Sequence, residues 1–147
     1  MEVRFTKRSD REHQVSVRRD DGSTDEVVLD SREFLRHDLA HWAVESVLGL
    51  RGGVWGSVAA GGSLEGDALD GEDMPTAESL AGPVQTLMRT EAGVGAYEAL
   101  LHHHPDLLLS PDAAADLHEE VRRLRGHWRA TPYGADMVLR WPPAQPS

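Results

Sequence analysis

His37-Asp38-Leu39-Ala40-His41 sets two imidazoles four residues apart. On a helix such residues lie one above the other on a single face, where both rings can reach one metal ion. Neutral imidazoles suit zinc or another divalent transition metal. Asp38 directly follows the first histidine and is the candidate catalytic residue. A carboxylate in that place can act as a base toward water at a metal, which makes metal-dependent hydrolysis the reaction class to consider. A base must come within about 3 Å of its proton, and Asp38 has a short arm for that task.

A third ligand has to come from elsewhere. On a straight helix Glu45 lies about 12 Å along the axis from His37, too far for one ion to take all three groups. Glu45 sits one turn beyond His41 and is better placed as an acceptor that orients the ring. His102, His103 and His104 offer three further candidates for the third ligand.

The same residues support a second reading. His41 can pair with Glu45 or Asp38 at helical spacing and close a buried polar network without any metal. The protein would then be a non-enzymatic regulatory or protein-interaction module. An acidic surface, a glycine-rich segment and the lack of a complete catalytic set fit that reading. The partner on either reading is a small molecule or another protein, and the sequence leaves the oligomeric state open.

The helix that carries these groups opens at Asp30, with Glu33 three residues on, a capping-box pattern. It runs to Leu48, where Gly49 is a natural stop. Leu35, Leu39, Ala40, Trp42, Ala43, Val44 and Val47 make it apolar over most of its circumference, as expected of a buried helix. His37, Asp38, His41 and Glu45 share the remaining arc of about 100° with Phe34 and Leu48.

Before this helix the chain reads as strand. Val3 and Phe5 alternate with polar neighbours, as do Val15 and Val17, and Asp20-Asp21-Gly22-Ser23 marks a turn into Glu26 to Leu29. After it comes the glycine-rich run from Arg51 to Gly62, read as a short helix or strand between turns. Residues 62 to 75 read as an acidic, mobile loop. Without EF-hand spacing it is a solvated loop rather than a calcium site. A helix starts at Thr76 or Pro83, a shorter one spans Ala96 to His104, and Ser110-Pro111-Asp112 opens another. In that last helix Leu117, Val121, Leu124 and Trp128 form one buried stripe. Ala135 to Trp141 reads as a final strand, and residues 142–147 as a proline-rich tail. The expectation is a single α+β domain over residues 1–147. An N-terminal antiparallel meander packs on a mainly helical remainder, and the final strand rejoins the sheet.

Composition narrows the function. The 147 residues carry 25 acidic against 15 basic side chains, a net charge of -10 that argues against a broad nucleic-acid footprint. There is no cysteine, which excludes disulfides, thiolate-bound zinc and thiol nucleophiles. No phosphate loop is present, and Gly56-Ser57-Val58 is not a nucleophile elbow. No apolar run reaches the roughly 20 residues of a membrane span, and the charged, alternating N-terminus is not a signal peptide. A cytoplasmic location is the expectation.

The stretch from Phe34 to about Gly62 carries His37-Asp38-Leu39, His41, Glu45 and Gly52-Gly53-Val54-Trp55-Gly56. It resembles small uncharacterised bacterial proteins that share a His-Asp-Leu-x-His helix. The resemblance covers about a fifth of the chain and implies no activity. The histidine pair also bears a distant likeness to the H-E-x-x-H helix of the zincin proteases. The chain departs from that pattern where Asp38 stands in place of the glutamate, and it lacks the H-x-x-G-x-x-H extension.

Overall fold

The computed structural model of the protein describes residues 1–65 and 71–143. Its elements are β1 (Glu2–Lys7), β2 (Glu12–Arg18), β3 (Thr24–Asp30), α1 (Ser31–Val47), α2 (Val54–Ala59), α3 (Met74–Arg89), α4 (Val94–His102), α5 (Ala113–Ala130) and β4 (Asp136–Arg140). The four strands form one antiparallel sheet in the order β3-β2-β1-β4. The fold is α+β, with the C-terminal strand beside the first.

Period-two alternation decides which face of the sheet meets the helices. Val3 pairs with Val17 and Leu139, and Phe5 pairs with Val15 and Met137, so these side chains share one buried face. His13 lies on the same face of β2 and is fully buried. The opposite face carries Arg4, which reaches Glu2 at 2.7 Å and Asp136 at 3.1 Å. The β2–β3 turn uses Gly22 at a φ of +88°, a left-handed conformation that glycine adopts at little cost. Asp21 secures the turn by accepting from the Ser23 amide at 2.8 Å.

α1 begins at its expected cap, where Asp30 accepts from the Arg32 amide at 2.8 Å. It ends just before Gly49, whose φ is +70°. Seven consecutive residues, Leu39 to Glu45, are buried. A helix can bury every side of a turn only when it is surrounded, and α1 packs against α2, α3, α5, β2 and β3. The indole of Trp42 meets Trp55 edge-on at 5.1 Å and Trp141 at 5.3 Å, tying α1 to α2 and to the end of β4.

Three sequence expectations change. α3 starts at Met74 and runs straight through Pro83, so neither Thr76 nor Pro83 opens it. Its buried stripe of Ala77, Leu80, Ala81, Val84 and Met88 outweighs the hydrogen bond lost at the proline. The end of the expected acidic loop, at Met74 and Pro75, is therefore helical, while residues 66–70 of that loop fall outside the described residues, as do residues 144–147 of the expected tail. α4 also begins two residues before Ala96 and ends at His102. No helix among the described residues is long and apolar enough to cross a membrane.

Candidate metal centre

α1 lays the ring of His37 against that of His41, with centroids 4.6 Å apart. This is the one-turn stacking that the spacing requires. The two differ in surroundings. The side chain of His41 is 1% exposed and that of His37 is 41% exposed.

Glu45 governs His41. Its Oε2 lies 2.8 Å from His41 Nδ1, and both side chains are buried. A carboxylate can only accept, so Nδ1 carries a proton toward Glu45, and Nε2 is the ring nitrogen turned away from it. The second oxygen of Glu45 accepts from the Trp55 amide at 2.9 Å. That amide is in the first turn of α2, whose own cap residue, Gly53, has no side chain to supply the bond. Glu45 thus caps α2 while it orients His41.

Glycine at position 53 is what lets the carboxylate in. A Cβ built there would stand 2.3 Å from Glu45 Cδ. Gly53 therefore answers a packing demand set by one buried glutamate. Gly56 is constrained in the same way, since a Cβ there would meet the Arg51 carbonyl oxygen at 1.7 Å.

His41 Nε2 is buried and has no hydrogen-bond partner among the described residues. Its nearest charged neighbour is Glu78 Oε1, 3.5 Å away on α3. An imidazole nitrogen and a carboxylate oxygen at this separation need a positive centre between them, a proton or a metal ion. His37, His41 and Glu78 each offer one ligand atom, and these three atoms all lie within 4.8 Å of one another. Ligands of a tetrahedral ion with bonds of 2.0–2.1 Å stand roughly 3.3 Å apart, so the His41–Glu78 separation is close to that needed. The Glu78 side chain is 54% exposed and has room to close the remaining gaps.

Asp38 lies beside His37, with Oδ1 at 3.6 Å from Nδ1. It is not a member of the three-residue group. The Asp38 carboxylate raises the pKa of His37 above the ordinary value, against the opposing effect of burial. Its backbone carbonyl accepts from the Trp55 indole at 3.4 Å. Each histidine of the pair thus has its own carboxylate neighbour, Asp38 for His37 and Glu45 for His41.

The structure brings together His37, His41, Glu45 and Asp38, but supplies a different third group. His102, His103 and His104 follow one another around the end of α4, and His102 and His103 are exposed. None of the three joins the His37–His41 group. Glu78 was not singled out in the sequence, although one signal pointed to it. It is the sole acidic residue of α3, set between the buried Ala77 and Leu80.

No family profile matches the chain, and no curated protein or solved structure is similar to it.

Proposed function

We propose that the protein binds one divalent transition metal ion, zinc being best suited, through His37, His41 and Glu78. The observation that carries this reading is His41 Nε2. It is buried, has no hydrogen-bond partner among the described residues, and faces a carboxylate 3.5 Å away. A buried polar atom without a partner is uncommon and costly, and a metal ion would satisfy it. The set His, His, Glu is a familiar one for zinc, with a carboxylate behind a ligating histidine to fix its tautomer. Glu45 holds His41 in that manner, and Asp38 flanks His37.

Three protein ligands leave coordination positions for water or a substrate. Hydrolysis is the chemistry such an ion would support, with Asp38 the nearest unused carboxylate. Protein purified without a histidine tag should carry close to one equivalent of metal by elemental analysis, and His37→Ala should lose it. Metal-free protein that also fails to take up zinc would sink the reading.

One observation favours the second reading, a regulatory or interaction module without metal. Glu45 bonds both His41 and the Trp55 amide, so its burial has a structural explanation of its own. That reading leaves His41 Nε2 unexplained. It predicts that zinc does not change the melting temperature.

A further inference from the structure

Away from the metal centre, α5 carries His118, Arg122, Arg125 and Arg129 at i, i+4, i+7 and i+11, a single basic stripe on a chain of net charge -10. The stripe does not face open solvent alone. It lines a cleft of about 380 Å³ between α5, the end of α3 and the start of α4. That volume falls in the range of small-molecule sites, which pair an apolar lining with a few convergent polar groups.

The polar groups do converge. Arg125 is anchored by donating from one terminal nitrogen to the Met88 carbonyl at 2.7 Å. Its other terminal nitrogen and that of Arg129 both point at Glu91 Oε1, at 3.4 and 3.0 Å. Each guanidinium has five N–H donors, so most remain to be filled. Glu91 stands at a left-handed φ of +52°, on the corner after α3, and is 65% exposed. Its carboxylate shows what the arginine pair accepts.

Part of the lining is apolar. Leu87 and Ala92 line the cleft and are half-buried, alongside the buried Met88 and Val121. Tyr97 is 1% exposed and lies against the His118 ring at 5.2 Å. Its hydroxyl makes no hydrogen bond to another described residue, and burial pushes its pKa up. Gly126 completes the wall from inside α5, and a Cβ built there meets nothing within 4 Å. Glycine weakens a helix interior, and here no neighbour demands it. What it leaves is room in the cleft.

We propose that this cleft binds a small amphipathic carboxylate. The charged end sits on Arg125 and Arg129 in place of Glu91, and the apolar body lies against Leu87 and Ala92. This site is independent of the metal.

Calorimetric titration with octanoate tests it, with octanol and inorganic phosphate as comparisons. Octanoate should bind saturably at one site, and more tightly than either comparison. Arg129→Gln should weaken it at least tenfold. Gly126→Met should abolish it while the melting temperature holds or rises. Glu91→Gln should tighten it by removing the competing carboxylate. Absence of saturable octanoate binding overturns the proposal. So does octanol or phosphate binding as tightly, or octanoate binding unchanged in Arg129→Gln. Arg129 is 64% exposed, so that variant decides the matter even if Gly126→Met fails to fold.

Discussion

Glu45 Oε2 lies 2.8 Å from His41 Nδ1 in a site sealed from water on both sides. The same carboxylate caps α2 through the Trp55 amide. One buried charge therefore couples the orientation of the proposed metal ligand to the docking of a neighbouring helix. Perturbing any of the three should perturb the other two.

His41→Ala should be strongly destabilising. It leaves Glu45 buried without its imidazole, and a stranded buried polar group costs about 1–3 kcal/mol, more if charged. A domain of this kind has a total stability of about 5–15 kcal/mol, so the melting temperature should fall clearly. His102 is exposed at the end of α4, and His102→Ala should cost less than about 0.5 kcal/mol. Denaturant melts of both variants make the comparison. A silent His41→Ala would show that the buried seam has been assigned to the wrong histidine.

Gly53→Ala should act through Glu45. The added methyl would lie 2.3 Å from the carboxylate carbon, and the carboxylate would have to move off His41 or off Trp55. Overpacking of this sort costs about 1–3 kcal/mol. Gly82→Ala is the control, because its Cβ would meet nothing within 4 Å in the interior of α3. That change should stabilise by about 0.5–1 kcal/mol. Equal melting temperatures for the two variants would contradict the packing argument.

Much of this arrangement was legible in the sequence. The α1 boundaries followed from Asp30 and Gly49, and the inward residues of β1 and β2 followed from alternation, because both signals are local. Placing His37, His41 and Glu45 on one helix needed only the helical repeat. Glu78 was not legible as a partner, since its approach depends on how α3 docks against α1. That docking is a tertiary outcome, and Pro83 obscured even the start of the helix. The pairing of His102, His103 or His104 with α1 failed for the same reason. Nothing local says which face of α1 meets which later helix. The role of Gly53 was hidden too, because a glycine's reason for being small lies in what fills the space beside it.

Burial lowers the pKa of His13, against smaller opposing effects of Asp38 and Asp30. Its ring is fully buried, with Nδ1 at 2.9 Å from the Ser31 hydroxyl. The unfolded chain then takes up a proton here at a higher pH than the folded protein does. The stability contributed is complete above the ordinary value of 6.5 and is lost as pH falls from there through the folded pKa. Stability measured against pH should therefore decline on the acid side more steeply in the native protein than in His13→Leu. Parallel acid limbs would refute this.

Glu45→Gln and Glu78→Ala should separate orientation from ligation. Glu78 is 54% exposed, so its removal should leave the melting temperature of the metal-free protein nearly unchanged, within about 0.5 kcal/mol. Metal affinity should fall steeply all the same. Glu45→Gln removes the charge behind His41, and loss of such an outer contact lowers affinity about 10–100-fold. A Glu78→Ala variant that binds zinc as the native protein does would exclude Glu78 as a ligand.

Zinc titration of metal-free, tag-free protein by calorimetry tests the central claim most directly, with His37→Ala, His41→Ala and Glu78→Ala measured alongside. The account predicts one ion per chain, and a loss of affinity in every variant greater than the roughly 100-fold upper bound for an outer contact. No saturable binding by the native protein, or binding that survives intact in His37→Ala and Glu78→Ala, would contradict it.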